Sequence, residues 1–372
     1  MKIYLDNAST TPLDKEVIKA MLPFLKEKFG NPSSPHSLGH EAKQAIEKAR
    51  NQVSSLINAE PEEIIFTSGG TEANNLALKC FQAEKIVTSS IEHHAVLEVA
   101  KASGKQVVII PVDAEGIINI NELKSKIAPN SLASIMHVNN EIGTIQPIEE
   151  ISRICKSKQA ISHTDAVQSF GKLNIDVKKL GIDMLSASSH KINGPKGIGF
   201  LYIRKDLKSK LNPLLHGGGQ EFGLRSGTEN VAGIVGFGKA AELSKKKIMQ
   251  AGKLKELRDY FIKEMLKIPG AKLNGSFEKR IFNNANFTIK DIEGEALVLM
   301  LNQSKIYCST GSACSSLGHK SSHVLKAMGL SDEEIHSSVR FSLGFQNTKQ
   351  EIDYALKKIK ESIIKLRRLA GK

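Results

Sequence analysis

The chain has 372 residues, of which 40% are hydrophobic and 24% charged, and 52 Lys and Arg against 39 Asp and Glu leave a net charge of +13. These proportions are ordinary for a soluble globular protein and leave room for one large domain and a smaller one. No apolar run is long enough to span a bilayer, the acid-bearing start (Asp6, Asp14, Glu16) does not read as a secretory signal, and four cysteines (Cys80, Cys155, Cys308, Cys314) without paired or zinc-type spacing exclude a disulfide framework. A cytoplasmic location and a reduced compartment are expected.

In chain order, Asp14 is placed to cap a helix with Val17, Ile18, Met21, Leu22 and Leu25 on one face, ended by Gly30 and Pro32. The loop NPSSPHSLG (31–39) precedes a second amphipathic helix through Ala42, Ile46, Ala49, Val53 and Leu56. A strand at 64–67 runs directly into SGGTEANN (68–75) and a helical stretch. Further strands are predicted near 85–89, 106–112, 132–138, 159–163 and 182–187, with helices near 93–103, 121–128 and 149–157. This alternation predicts an α/β domain whose mainly parallel sheet is covered on both faces, with ligands beyond the carboxyl ends of the strands. Over 243–268 the pattern becomes one long Lys-rich helix. A smaller α+β unit comes next, with strands at 285–289, 305–308 and 338–342 and helices at 294–302 and 348–369. The expected division is an N-terminal segment over 1–15 packing with the small domain, a large domain over 16–240, and a small domain over 241–372.

The stretch SASSHKINGPKGIG (186–199) lies between two hydrophobic runs, 182–185 and 198–203, and is expected to form an exposed loop at a sheet edge. Most lone lysines are simply solvated. Lys191 has another reading, because a lysine amine can hold a carbonyl cofactor as a Schiff base while neighbouring hydroxyls and an imidazole bind a phosphate. In SGGTEANN, the Thr71 hydroxyl and free amides at a helix start suit a phosphate, although a plain strand-to-helix turn accounts for it equally well. HTDAVQS (163–169) ends a strand with Asp165, which is suited to holding a pyridine nitrogen protonated, and Gln168 is placed to bond the phenolic oxygen of such a ring. In IEHHAVLE, one of His93 and His94 is a candidate to stack on the ring and the other to face solvent.

GSACSS (311–316) sets Cys314 in a run of small polar residues, the tether that a reaching thiol needs. Arg340, alone in SSVRFSLG, reads either as a structural ion pair or as a clamp on a carboxylate. From 349 to 372 there are eight Lys and Arg against three acids. With no nucleic-acid motif beside it, this charge reads as the solvated face of a terminal helix, and nucleic acid is not an expected partner.

These pieces together resemble the NifS/IscS-like cysteine desulfurases, a group of class V aminotransferase-fold enzymes. LDNASTT, NPSS, SGGTEANN, EHHAVL, HVNNEIG, HTDAVQS, SSHKINGPKGIG, LRSGTEN, GSAC and RFSLG occur in the family's order over nearly the whole chain. The resemblance implies a homodimer of the fold type I pyridoxal 5'-phosphate (PLP) kind, with a large PLP-binding domain and a small domain carrying the cysteine loop. It implies that Lys191 carries the cofactor, His93 stacks on it, and Asp165 and Gln168 hold its ring. Thr71, Ser188 and His190 would bind the phosphate with Thr228 of the partner subunit. Asn140 and Arg340 would take the carboxylate of L-cysteine, and Cys314 would accept the sulfur. The implied products are L-alanine and a persulfide for an acceptor such as an Fe–S scaffold or a tRNA-thiolation protein, with a contact to an Fe–S cluster through Cys314 in the same set. No metal and no membrane are implied.

Phe222 stands where the family usually has an arginine, Cys308 stands at a position expected to be apolar, and RRLAGK closes the sequence without the extension that better-known members use to dock a scaffold. The competing readings are a selenocysteine lyase or another class V aminotransferase-type enzyme on the same fold, and a non-enzymatic basic RNA-binding or scaffold protein.

Overall fold

The computed structural model describes residues 2–310 and 321–372. Its strands in chain order are β1 (Ile3–Tyr4), β2 (Ile64–Thr67), β3 (Lys85–Ser89), β4 (Gln106–Ile110), β5 (Ser131–Ser134), β6 (Ile161–Asp165), β7 (Met184–Ser188), β8 (Gly199–Ile203), β9 (Ala271–Asn274), β10 (Asn284–Ile289), β11 (Ile306–Tyr307) and β12 (Ser338–Ser342). The fold is α/β, with a seven-stranded sheet in the order β4-β3-β5-β6-β7-β8-β2. All its neighbours are parallel except β8, which runs antiparallel to both β7 and β2. Helices cover both faces, so β2, β5, β7 and β8 are buried at every position and show no inside–outside alternation.

This topology corrects the expectation of a sheet edge at 186–199. That stretch joins two interior strands; Ser188, Ser189 and Ile192 are buried, His190, Lys191 and Asn193 are partly buried, and Lys196 and Gly197 are exposed. The apolar runs on either side are long because both faces of the sheet are packed, not because they border water.

Three helices pack together on the large sheet: Lys15–Lys26, Ser37–Ser54 and Val231–Met249. Asp14 does cap the first, accepting a bond from the Glu16 amide at 3.0 Å, but the helix stops at Lys26, short of Gly30. The long Lys-rich helix is two, Val231–Met249 and Ala251–Met265, broken at Gln250. Its earlier start is hidden in the glycines of VAGIVGFG. A Cβ on Gly238 would lie 2.6 Å from Ala49 Cα, and one on Gly236 would lie 2.6 Å from Met21 Sδ, so these glycines permit close helix packing.

The smaller unit is a three-stranded antiparallel sheet, β12-β10-β9. β1 joins this side of the molecule by pairing in parallel with β11. Phe261 packs edge-on against Phe287 and Phe341 in its core, separate from the core of Phe170, Phe200 and Phe237 under the large sheet. Cys308 belongs to this second core, where burial pushes its thiol pKa well up, as suits a packing residue. Among the described residues no helix is long and apolar enough to cross a membrane.

Arg50, buried in the helix Ser37–Ser54, forks onto Glu221 with two bonds of 2.8 Å, and Glu221 also accepts from the Phe66 amide at 2.7 Å. Next to it, Phe222 has φ +61° and a half-exposed ring. The Arg50 guanidinium lies 5.1 Å from that ring's centre and the Lys208 ammonium 3.9 Å from it. Where an arginine was expected, this chain thus presents an aromatic face to two cations.

Arg50→Ala would strand the Glu221 carboxylate in the interior. The expected cost is about 3 kcal/mol, read as a fall of several degrees in the thermal midpoint; an unchanged midpoint refutes the anchoring role.

Candidate active site

The parallel strands end on one side of the sheet, and a 460 Å³ cavity opens there. Its wall is built from residues at or just beyond the strand ends: Gly70 and Thr71 after β2, His93 after β3, Met136 after β5, Asp165 at the end of β6, and Ser188, His190 and Lys191 at the end of β7 and in the turn beyond it. The small sheet contributes Arg340 from β12, and the N-terminal segment contributes Ala8 and Ser9. Burial is therefore shared by both halves of the molecule.

Lys191 donates to the Ala8 and Ser9 carbonyls at 2.7 Å each. Asp165, buried, accepts from Asn74 Nδ2 at 2.8 Å and from the Val167 amide at 2.9 Å, so both carboxylate oxygens are held in place. His93 caps the helix His94–Lys101 through a 3.0 Å bond from the Ala95 amide to its Nδ1. Burial lowers its pKa; Asp165 acts the other way and Lys191 reinforces the drop. His190 shares a 3.1 Å bond with Thr10 Oγ1, and burial followed by the Lys191 charge brings its pKa down to about 4. Both rings are neutral near pH 7.

Gln168 donates through Nε2 to the Ala8 carbonyl at 2.9 Å. Arg340 donates to Asp6 Oδ1 at 2.8 Å, to Ser9 Oγ at 2.7 Å and to the Asn140 carbonyl at 2.9 Å. It is thus engaged in a structural ion pair, and it also lines the cavity beside Asn140. At the mouth, the exposed His94 packs on His323 with ring centres 4.6 Å apart. Ser322 Oγ donates to Glu141 Oε2 at 2.5 Å.

The aminotransferase class-V family profile matches residues 3–355. The cysteine desulfurase IscS of Methanosarcina thermophila is 50% identical over 99% of this chain and 93% of that protein. A solved NifS-like protein superposes with a TM-score of 0.91 at 40% identity, over 97% of this chain and 99% of that one. A solved SspA in complex with cysteine gives a TM-score of 0.81 at 37% identity, over 92% and 99% of the two chains. This chain belongs to the cysteine desulfurases of the class V aminotransferase family.

For a member of that family, the cavity gathers Thr71, His93, Asn140, Asp165, Gln168, Ser188, His190, Lys191 and Arg340, all singled out from sequence. Thr228 is exposed and does not line it. Cys314 lies outside the described residues. The sequence reading did not anticipate Asn74, which holds Asp165 and sits inside SGGTEANN one helical turn after Gly70. Nor did it assign the Ala8 and Ser9 carbonyls, although LDNASTT contained them.

Beneath the wall, the buried His163 joins Ser134 Oγ at 2.8 Å to Ser186 Oγ at 2.9 Å, and burial lowers its pKa to about 3. The unfolded chain takes up this proton near pH 6.5 and the folded chain does not, so His163 costs stability as pH falls below 6.5. His163→Asn is expected to remove about 1.4 kcal/mol per pH unit of that loss between pH 6.5 and 4, seen as a smaller drop of the melting midpoint. An identical pH profile for wild type and variant counts against a neutral His163.

Proposed function

We propose that this cysteine desulfurase holds pyridoxal 5'-phosphate in the cavity, converts L-cysteine to L-alanine, and takes the sulfur onto Cys314 as a persulfide. The observation that carries this reading is the meeting of Lys191, Asp165, His93 and Arg340 in one cavity at the carboxyl ends of the strands. The residues present fit the cofactor. The helix Gly70–Cys80 starts without a side-chain cap, which leaves first-turn amides for a phosphate near Thr71, Ser188 and the neutral His190. The doubly held Asp165 carboxylate suits a protonated ring nitrogen.

When bound, the cofactor supplies a pyridine ring that withdraws electrons from the α-carbon of an amino acid. Lys191 would provide the amine that holds the aldehyde, and the same amine would hold or move a proton at the substrate's α-carbon. His93 offers a flat neutral face to the ring, and Gln168 an N–H to its phenolic oxygen. Asn140 and Arg340 take the substrate carboxylate. The Cys314 thiolate would form an S–S bond to the sulfur of L-cysteine as the substrate C–S bond breaks, and the electron pair left on carbon would take up a proton to give alanine. Support for Cys314 comes from its flanks: Ser309 exchanges backbone bonds of 3.2 and 2.6 Å with Arg340, and Ser322 bonds Glu141, both cavity residues. The persulfide then passes to an acceptor such as an Fe–S scaffold or a tRNA-thiolation protein. A plain aminotransferase has no use for this thiol.

The working unit is a homodimer of cytoplasmic chains, each with a large and a small domain. What supports the dimer is Thr228, which is exposed on its own chain, and an apolar stripe that includes Leu25 (67% exposed) and Phe29 (77% exposed) at the end of the helix Lys15–Lys26.

The purified protein is expected to be yellow, with a visible band bleached by borohydride and absent in Lys191→Ala. Cys314→Ser should keep the band while sulfide release under reductant falls more than about 1000-fold. A colourless wild type that releases no alanine from cysteine overturns the function; full sulfide release by Cys314→Ser reassigns the nucleophile.

A further inference from the structure

The turn after β6 contains a buried lysine that the proposed chemistry does not employ. Lys172 is 7% exposed, and its ammonium donates to Gln168 Oε1 at 3.1 Å. The charged and titratable groups that act on it are other bases: Lys191 from the turn after β7 and Arg340 from β12, with His190 responding to all this positive charge. Among the described residues no carboxylate forms an ion pair with it. Burial, reinforced by Lys191 and Arg340, lowers its pKa to about 7. An amine in such a place destabilises the fold, and an apolar side chain of the same size would pack there at less cost.

Its one bond has a geometric consequence. A glutamine amide can sit in either of two orientations, and its neighbours decide which. With Oε1 occupied by Lys172, the Gln168 nitrogen faces the other way, giving one hydrogen to the Ala8 carbonyl at 2.9 Å and leaving the second for the cavity that Gln168 lines. Lys172 lines a smaller void behind Lys191 and is not among the described residues that line the main cavity.

We propose that Lys172 is a positioning residue that locks the Gln168 amide with its N–H toward the phenolic oxygen of bound pyridoxal phosphate. This rests on the proposed role of Gln168 in holding the cofactor ring.

The test uses full-length Lys172→Met, Gln168→Leu and the double variant. The readouts are the pH midpoint of the cofactor's visible band, cofactor retention in equilibrium dialysis, and the melting midpoint of the cofactor-free protein. Gln168→Leu is expected to move the spectral midpoint by about one pH unit, Lys172→Met to move it in the same direction, and the double variant to match Gln168→Leu alone. The melting midpoint of Lys172→Met should be equal or higher; Lys172→Leu reads the same shift if the Met variant does not fold. An unmoved spectral midpoint in Lys172→Met overturns the proposal, as does an equal added shift in the Gln168→Leu background, which would mean the charge acts directly. An unmoved midpoint in Gln168→Leu overturns the Gln168 assignment and this proposal with it.

Discussion

The geometry of the site depends on the strap formed by residues 6–12, which is bonded at once to both halves of the molecule. On the small-sheet side, Asp6 and Ser9 pair with Arg340, and the Asn7 amide and side chain both donate to the Ser342 carbonyl. On the large-sheet side, the Ala8 and Ser9 carbonyls hold Lys191, the Ala8 carbonyl also takes Gln168, and Thr11 bonds the His190 carbonyl. A half-buried ammonium needs acceptors, and these two backbone carbonyls supply two of them. A substitution that displaced the strap would therefore loosen the amine, the Gln168 amide and the Arg340 guanidinium together.

Charge is arranged in the same way. Lys191 and Arg340 bring positive charge to the cavity wall with Lys172 behind them, while burial lowers the pKa of His93 and His190 beside them. A wall of this kind suits ligands that bring a phosphate and a carboxylate, since each anion offsets cations that otherwise raise one another's cost. Asp165 is the exception in the middle, a carboxylate held between the Asn74 side chain and the Val167 amide.

Much of this was legible from residue patterns, because buried strands of four to six residues leading into Gly, Ser, His or Asp announce both a parallel sheet and the residues at its ends. The position of Asp165 at the end of β6 came out of that logic, and the cap at Asp14 out of the apolar face of the helix behind it. Other features carry no local signal. β1 and β11 are two residues each and exist only because they pair with one another. The start of the helix at Val231 is masked by glycines whose purpose is contact with helices far away in sequence. The burial of 186–199 depends on β2 returning to cover β8, which no property of the stretch itself announces. Lys172 comes four residues after Gln168 in a turn, and only the packing above it makes that spacing a bond.

The residues that flank positions 310–321 are tied closely to the wall of the cavity. Ser309 sits on Arg340 across a backbone bridge, and Ser322 caps the helix His323–Ala327 while its hydroxyl also holds Glu141. His323 adds a 2.9 Å bond from its ring to the Glu92 carbonyl, next to His93. The chain thus leaves a cavity residue at one end and returns to another after twelve intervening positions, 310–321. Because Arg340 and Glu141 both line the cavity, the two ends of this segment are fixed at its wall.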